Sequence, residues 1–340
     1  MRIVVLGSGA WALALADVLA NNGNEVLVYT RKIEAQEEIN NKHTNSKYLN
    51  DLTINKNIVA STNLKELIEE NDTFLLCVPS TSVSSLLNQI KEYIKRPINI
   101  INATKGLDPN NKLTIQSIIK KEIDNKYIKS LVSILGPGFA KEVIERNLTC
   151  VCSVSSSLND AKYVQKLFSN DYFRVYTCLD VIGAELYSSI KNAIAIASGI
   201  VSGLGYKENS KACLITRGLK EMRIVGKAFN ALDTTFYGLT GMGDLILTCS
   251  SSTSRNFKAG YKIGLDDSSE EFLKTNKETV EGLATILTLK EIIDEKHLDL
   301  PIISSLYEVI YNNKKPSILI KELMKRPLKD EDWFLVFYCF

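Results

Sequence analysis

The fold is decided by the segment Ile3-Val4-Val5-Leu6-Gly7-Ser8-Gly9-Ala10-Trp11-Ala12. A β-branched apolar run leads into a G-x-G-x-x-A turn, and an apolar stretch of helical spacing follows. In such a turn Gly7 permits the tight bend, Gly9 lets the backbone approach a pyrophosphate, and the small Ala12 allows close helix–strand packing. Glycines also end strands for purely structural reasons. The position of this loop inside a strand–turn–helix unit favours dinucleotide binding.

The first half of the chain alternates short β-branched runs with amphipathic stretches. This alternation predicts an α/β, Rossmann-type N-terminal domain whose parallel, doubly wound sheet carries helices on both faces. Predicted strands are Ile3–Leu6, Glu25–Tyr29, Thr73–Val78, Ile98–Ala103 and Leu131–Leu135, with a further pair at Thr149–Val154 and Phe173–Thr177. Predicted helices are Ala12–Asn22, Leu64–Glu70, Ser82–Ile94 and Lys112–Ile123.

After Asp180 the apolar spacing changes to three and four residues, which predicts an all-α C-terminal domain. We place the boundary near residue 179, so that residues 1–179 form the dinucleotide-binding domain and residues 180–340 a helical substrate and catalytic domain. Asp180 is the candidate N-cap of the first long helix. The Asn-rich residues 40–50 are expected to be a solvated loop. The apolar tail Trp333–Phe340 is predicted to close the core, with a membrane or partner contact as the alternative.

Composition excludes several classes of partner and binding site. The 41 basic and 39 acidic residues give a net charge of +2, so neither nucleic acid nor an anionic membrane is expected as the main partner. An uncharged run of 18 residues does not occur, and no membrane span is predicted. Two histidines and seven cysteines without a C-x-x-C spacing argue against a metal site or a disulfide framework. These features predict a cytoplasmic protein with reduced thiols.

The end of the second predicted strand bears on cofactor choice. An NAD site usually carries a carboxylate there for the ribose hydroxyls, whereas this chain has Tyr29-Thr30-Arg31-Lys32. A guanidinium can pair with a 2′-phosphate and stack on adenine. NADP(H) is therefore favoured, with NAD(H) left open. The alternative interpretation of Arg31 is a solvated basic loop end.

Three segments offer groups for proton transfer and substrate binding, which nicotinamide chemistry requires. Lys105 follows a parallel strand at its carboxyl end, where such sheets bind ligands. Lys191 and Asn192 interrupt an otherwise apolar helix, where a lysine either reaches solvent or is held in a polar site. Asp244 stands among glycines. Thr248 and Ser254-Arg255-Asn256 follow it, and the latter triplet suits a phosphate.

Taken together, these residues resemble the bacterial type of NAD(P)-dependent glycerol-3-phosphate dehydrogenases. Any one motif could arise elsewhere, but all of them follow the family's order over residues 3 to about 303. The matching pieces are Gly7-x-Gly-x-Trp11, Ala103-Thr-Lys-Gly-Leu107, Gly136-Pro-x-Phe-Ala-Lys-Glu142, Glu185-Leu with Lys191-Asn-x-Ile-Ala-Ile-Ala197, Gly238-Leu-x-Gly-x-Gly-Asp-Leu245, Ser254-Arg-Asn256 and Val280-Glu-Gly282.

The resemblance implies reversible reduction of dihydroxyacetone phosphate to sn-glycerol 3-phosphate, a precursor for phospholipid biosynthesis. It implies that Lys191 is the proton donor and acceptor, with Lys105 and Asp244 as further catalytic residues. Substrate contacts fall on Lys105, Gly136, Gly138, Lys191, Asn192, Asp244, Thr248, Ser254, Arg255 and Asn256. Cofactor contacts fall on Gly7, Gly9, Ala10, Trp11, Arg31, Lys105, Ala140, Arg255, Thr279 and Glu281, with no metal; a homodimer is possible.

Two departures from the family pattern are expected to leave the reaction intact and to raise KM. Ala12 replaces the third glycine of the loop, and Gly138 stands where Thr or Ser is usual. Two alternatives remain. A β-hydroxyacid dehydrogenase of similar layout would need a carboxylate-binding site in place of Ser254-Arg255-Asn256. A dinucleotide-sensing protein without activity would not need a proton donor such as Lys191.

Overall fold

The sheet at the centre of the N-terminal half is built around its first strand. The computed structural model describes residues 1–107 and 114–331, and within them eight strands form one sheet in the order β3-β2-β1-β4-β5-β6-β7-β8. All neighbouring pairs are parallel except β6 and β7, which are antiparallel. The strands are β1 (Arg2–Leu6), β2 (Glu25–Tyr29), β3 (Ile58–Ser61), β4 (Thr73–Leu76), β5 (Ile98–Asn102), β6 (Ile128–Leu135), β7 (Thr149–Val154) and β8 (Phe173–Cys178).

Burial of both faces explains why these strands are continuous apolar runs. On β1, Ile3 and Val5 belong to one buried cluster, while Val4 and Leu6 belong to another on the opposite face. Helices cover each face, as the doubly wound arrangement requires. The helices of this half are α1 (Ala10–Asn21), α2 (Ile33–Lys42), α3 (Ser46–Leu49), α4 (Leu64–Glu70), α5 (Val83–Ile90), α6 (Ile115–Glu122), α7 (Ala140–Ile144) and α8 (Leu158–Phe168).

The rest of the described chain is helical and surrounds one long helix. That helix, α9 (Val181–Gly203), is buried continuously from Gly183 to Val201. Asp180 caps it as predicted, because its Oδ1 accepts from the Gly183 backbone N–H at 2.9 Å. The remaining helices are α10 (Glu208–Ala228), α11 (Asp233–Phe236), α12 (Asp244–Ser250), α13 (Arg255–Leu265), α14 (Glu270–Thr275), α15 (Glu281–Lys296), α16 (Pro301–Tyr311) and α17 (Pro316–Met324), after α9 (Val181–Gly203).

Paired glycines bring α13 unusually close to α9. A Cβ atom on Gly199 of α9 would lie 2.1 Å from the Phe257 carbonyl oxygen, and one on Gly260 of α13 would lie 2.0 Å from the Ile196 carbonyl oxygen. One turn further along each helix, Gly203 and Gly264 repeat the arrangement. Only residues without a Cβ permit this approach. The contact sets where the first residues of α13 lie relative to Lys191.

The predicted fold class is confirmed, and the sheet differs from the prediction in two details. The helices α2, α3, α7 and α8 were not predicted. The sequence did not predict β3, which is four residues long at the edge of the sheet. It also did not predict that β7 reverses direction against β6, because pairing direction depends on the path of the chain in space. Within the helix predicted over Lys112–Ile123, α6 covers Ile115–Glu122. Residues 112–113 and the tail Trp333–Phe340 lie outside the described residues.

The expectation of a solvated loop at residues 40–50 is wrong for two of its asparagines. Asn40 lies on α2, and its amide both donates to and accepts from the Ala60 backbone on β3. Asn45 is buried and donates to the Ser8 carbonyl oxygen of the glycine loop at 3.2 Å. These amides satisfy backbone groups that have no strand partner there, which is a role that composition alone does not reveal.

Candidate active site

The candidate site lies at the carboxyl edge of the sheet, where β1 and β4 are neighbours and the strand order reverses. Ligands bind at this position in open α/β sheets. Gly7 leaves β1 with a φ of +133°, and a Cβ on it would lie 2.3 Å from the Cys77 carbonyl oxygen. Glycine is therefore required at this position, both for its backbone angle and for the close approach of the two loops.

The glycine loop fits the pyrophosphate of a dinucleotide. Gly9 is the N-cap residue of α1 without a side-chain cap, so the N–H groups of the first turn stay open to an anion. A Cβ on Gly9 would point into open space, with no atom within 4 Å. Nearby, the Nε1 of Trp11 is buried and has no hydrogen-bond partner among the described residues. This orphaned donor and the open cradle fit a bound cofactor.

A buried ion pair forms the chemical centre. Lys191 on α9 donates to Asp244 Oδ1 at 2.6 Å and to Thr248 Oγ1 at 2.7 Å. Lys191 is 6% exposed and Asp244 is 1% exposed. The Thr248 hydroxyl in turn donates to the Asp244 carbonyl oxygen, which fixes its lone pairs toward the lysine. Because an ammonium has three protons, these two contacts leave one for a substrate.

A second lysine shares the same carboxylate. Lys105 follows β5 and donates to Asp244 Oδ2 at 2.8 Å and to the Gly136 carbonyl oxygen at 2.7 Å. Its Nζ also lies 5.9 Å from the centre of the Trp11 ring. Asp244 therefore holds two cations, one on each oxygen. The group carries a net positive charge, which suits an anionic substrate or a developing oxyanion.

The environment lowers the pKa of Lys191 to about 8. Burial is the main cause, since it penalises the charged form; the Asp244 carboxylate opposes it, and the Lys105 ammonium adds to it. An amine with a pKa near neutrality exchanges protons readily at physiological pH. Of the two alternatives left open for this lysine, Lys191 does not reach solvent, because it is buried and donates to Asp244 and Thr248.

The elements that present these groups come from three parts of the chain. α9 carries Lys191, the loop after β5 carries Lys105, and α12 begins at Asp244. A single π-helical turn, Leu239–Gly243, precedes α12. Such turns occur often at functional sites. Here the turn delivers Asp244 to the first position of α12, where its carboxylate reaches both lysines.

The segment Ser254-Arg255-Asn256 divides its roles. Ser254 caps α13 by accepting from the Phe257 N–H at 3.2 Å. Asn256 donates to Asn192 Oδ1 and accepts from the Gly282 N–H, both at 2.9 Å, so it ties α9 to α15. Arg255 is exposed beside them. Of the three side chains, the guanidinium is the one left for a phosphate.

Glu281 and Ser80 connect the two halves of the chain beside this group. Glu281, at the start of α15, accepts from the Ser80 N–H at 3.2 Å and from its hydroxyl. Burial raises the pKa of Glu281, while Ser80 and the nearby Arg255 guanidinium lower it. No local pattern points to Ser80, because a serine after a proline such as Pro79 is common in loops. Its partner was identified only through the resemblance.

The remaining predicted contacts lie around the same edge. Gly136 and Gly138 follow β6, and Ala140 begins α7. A Cβ on Gly138 would lie 2.9 Å from Cη2 of Trp11, so the missing side chain makes room for the indole. Arg31 is exposed beyond β2, and Thr279 is exposed before α15. Among the described contacts, neither Arg31 nor Thr279 has a hydrogen bond to Lys191, Lys105 or Asp244.

The described residues contain neither a membrane-spanning helix nor a metal-binding cluster. Within residues 1–107 and 114–331, no helix is long and apolar enough to cross a membrane. In the same part of the chain, no three His, Cys, Asp or Glu side chains are grouped as a metal ion would require.

Comparison with known proteins gives one consistent result. The profile described as NAD-dependent glycerol-3-phosphate dehydrogenase N-terminus matches residues 2–161, and its C-terminus profile matches residues 180–321. The chain is 42% identical over 330 residues to a Bacillus cereus protein named glycerol-3-phosphate dehydrogenase [NAD(P)+], covering 97% of each.

Solved structures agree. The crystal structure of glycerol-3-phosphate dehydrogenase from Coxiella burnetii is similar with a TM-score of 0.89 and 29% identity, covering 96% of this chain and 99% of that one. The Plasmodium falciparum glycerol-3-phosphate dehydrogenase has a TM-score of 0.86 and 27% identity, covering 97% of both chains.

Proposed function

The chain belongs to the NAD-dependent glycerol-3-phosphate dehydrogenase family, and on this premise we propose roles for its site residues. It catalyses the reversible, NAD(P)H-dependent reduction of dihydroxyacetone phosphate to sn-glycerol 3-phosphate, which supplies phospholipid biosynthesis. The observation that carries the assignment of roles is the buried group in which Asp244 holds Lys191 and Lys105 on its two oxygens.

Lys191 donates the proton. When bound, the reduced nicotinamide supplies a hydride to C2 of the substrate ketone. The Lys191 ammonium uses its remaining N–H to donate a proton to the C2 oxygen. In the reverse reaction the neutral amine accepts a proton from the alcohol. Asp244 holds the ammonium in place on Oδ1, and Thr248 fixes it from a second direction. Lys105 adds positive charge where the oxygen becomes negative.

Arg255 holds the phosphate at the exposed start of α13. The N–H groups of that helix's first turn add a positive field for the anion. Asn256 donates to Asn192 and so fixes the position of α13 relative to α9. The distance between Arg255, which binds the phosphate, and Lys191, which binds the ketone oxygen, is thereby kept constant. We assign the backbone of Gly136 and Gly138 to the substrate, and Ser254 to the helix cap.

The cofactor lies across the glycine loop. Gly7, Gly9 and Ala10 approach the pyrophosphate, and Trp11 offers its unpartnered N–H. Arg31 pairs with a 2′-phosphate, which gives NADPH a modest preference over NADH. Three further cofactor contacts are proposed for Ala140, Thr279 and Glu281.

The activity has a direct test. Purified protein is mixed with NADPH and dihydroxyacetone phosphate, and loss of absorbance at the nicotinamide band is followed. Dihydroxyacetone and a β-keto acid serve as matched substrates without the phosphate. Turnover of the phosphate ester alone supports the proposal. Preferential turnover of the β-keto acid would mean a β-hydroxyacid dehydrogenase, and binding of NADPH without any turnover would mean a sensor.

Three further proposals concern the domain boundary, the cellular compartment and the oligomeric state. We place the domain boundary near residue 179, between β8 and α9. We propose that the enzyme works in the cytoplasm and that it forms a homodimer. Light scattering on the purified protein tests the dimer, and expression of residues 1–179 alone, with an NADPH-binding assay, tests the boundary.

A further inference from the structure

Glu185 is a buried carboxylate that the mechanism does not use. It lies on α9, six residues before Lys191, and is 3% exposed. Its Oε1 accepts from Ser133 Oγ at 2.6 Å and from Asn102 Nδ2 at 3.2 Å. Its Oε2 accepts from the Gln116 backbone N–H at 3.0 Å. The carboxylate therefore ties α9 to β5, β6 and α6 at once.

The partners of Ser133 determine the direction of its hydrogen bond to Glu185. Ser133 Oγ accepts from Asn102 Nδ2 at 3.1 Å and from Gln116 Nε2 at 3.0 Å. These two amide nitrogens can only donate, so the single hydroxyl proton of Ser133 must go to Glu185. The Gln116 backbone N–H can only donate, so Glu185 Oε2 must accept from it. Both oxygens of Glu185 therefore accept hydrogen bonds. Burial raises the pKa of Glu185, and the hydrogen bonds from Ser133, Gln116, Thr114 and Asn102 oppose that rise.

The same network shapes the turn that presents Lys105. The Asn102 amide accepts from the Thr104 N–H at 2.9 Å and donates to the Thr104 carbonyl oxygen at 3.2 Å. Thr104 also donates to the Val78 carbonyl oxygen, which secures the turn to the chain after β4. Lys105 is the next residue. Because Glu185 accepts from the Asn102 amide, it also stabilises the turn at Thr104 that leads to Lys105.

We propose that Glu185 is a positioning residue, which fixes the loop carrying Lys105 onto the helix carrying Lys191 and so sets the separation of the two lysines about Asp244. The proposal rests on the proposed function, in which Lys191 donates the proton. A merely structural carboxylate would add stability without affecting the charge around Lys191.

The pH profile separates these two roles. The titratable and charged groups around Lys191 are Asp244, Lys105 and Cys249. Lys105 lowers the pKa of Lys191, so a displaced Lys105 lets it rise. The fall of kcat for ketone reduction, which follows loss of the Lys191 proton, then moves to higher pH. Loss of stability alone leaves the position of that fall unchanged.

The variant Glu185→Gln tests the proposal. A glutamine amide has one NH2 group, which can only donate. In one orientation this NH2 meets the Ser133 hydroxyl proton, and in the other it meets the Gln116 N–H, so one hydrogen bond is lost either way. We expect kcat to fall by about ten- to a hundredfold, as for a small misplacement of a reacting group. The alkaline fall should shift upward by roughly half a pH unit or more.

Glu221→Gln is the matched control. Glu221 is 4% exposed and accepts from the backbone N–H groups of Ile302 and Ile303, at the start of α16. Its replacement should lower Tm while kcat and its pH profile stay those of the unchanged protein. An unshifted profile in Glu185→Gln, or an equal shift in both variants, overturns the proposal.

Two further variants keep the outcome decisive. If Glu185→Gln does not fold, Ser133→Ala decides: a smaller upward shift supports the proposal and an unshifted profile overturns it. Lys191→Ala separates this inference from the function beneath it. Normal turnover in Lys191→Ala removes the proton donor. An inactive Lys191→Ala beside an unshifted Glu185→Gln overturns the positioning role alone.

Discussion

Lys191 Nζ donates to Asp244 Oδ1 at 2.6 Å, although 53 residues separate them in the sequence. The pair lies between the glycine loop and the first turn of α13, where a reduced cofactor and a phosphate ester would meet. Its burial makes the lysine both weakly basic and firmly held. The predictions below follow from that relationship and from the elements around it.

The first prediction concerns pH. With the pKa of Lys191 lowered to about 8, ketone reduction needs the protonated amine, so kcat should fall as pH rises through about 8. Alcohol oxidation needs the neutral amine, so its kcat should rise over the same range. Thr248→Val removes an acceptor that stabilises the ammonium and should move both transitions to lower pH. Profiles of kcat in both directions check this, and identical midpoints for Thr248→Val and the unchanged protein would contradict it.

Lys191→Ala should lower kcat by roughly 10²–10⁴-fold, because the general acid is lost, while NADPH still binds. Stopped-flow turnover and a fluorescence titration of NADPH measure the two effects. Lys162→Ala, on the exposed side of α8, is the control and should behave like the unchanged protein. Near-normal turnover of Lys191→Ala would remove this residue from the mechanism.

Arg255→Ala should lose about 1.5–3 kcal/mol of transition-state binding in kcat/KM for dihydroxyacetone phosphate, the value of a charge-assisted hydrogen bond to the phosphate. Dihydroxyacetone should be a poor substrate for both proteins. Lys258→Ala changes an exposed cation one turn along the same helix and should have little effect. If the unchanged protein used both ketones equally well, the phosphate assignment would be wrong.

Arg31→Asp should reverse cofactor preference. We expect about a tenfold preference for NADPH, since charge-assisted hydrogen bonds are strong but exposure to solvent weakens them. The carboxylate repels the 2′-phosphate and accepts from ribose hydroxyls, and added salt should weaken NADPH binding more than NADH binding. Lys56→Asp makes the same charge change in an exposed turn before β3. Equal ratios of kcat/KM in all three proteins would show that Arg31 is a solvated residue.

Gly199→Ala should destabilise the protein by about 1–3 kcal/mol, because its Cβ would lie 2.1 Å from the Phe257 carbonyl oxygen and must push α13 away. The displaced α13 carries Arg255, so KM for dihydroxyacetone phosphate should rise as well. Urea unfolding and steady-state kinetics measure both. Ser202→Ala on the same helix should change stability by no more than about 0.5 kcal/mol. A stable Gly199→Ala with normal KM would refute the close contact.

Local signals in the sequence determined most of the fold and half of the site. The glycine loop, the β-branched runs and the capping Asp180 act through neighbouring residues, so each could be interpreted without knowing the rest of the chain. The change of apolar spacing after Asp180 did the same for the helical half. The strand β3 escaped, because four residues at a sheet edge carry too little periodicity to stand out.

Only the tertiary structure decided which polar residues work together. The role of a lysine in an apolar helix is ambiguous until the fold brings Asp244 to it from a distant turn. Burial, together with the nearby Lys105 ammonium, then lowers its pKa. Ser80 with Glu281 and Glu185 with Ser133 are pairs of the same kind. Hydrogen bonds and ion pairs act over about 3 Å in space, whereas periodicity records only neighbours along the chain. For that reason the sequence predicted the elements, and the packing of α9 against the sheet assembled the site.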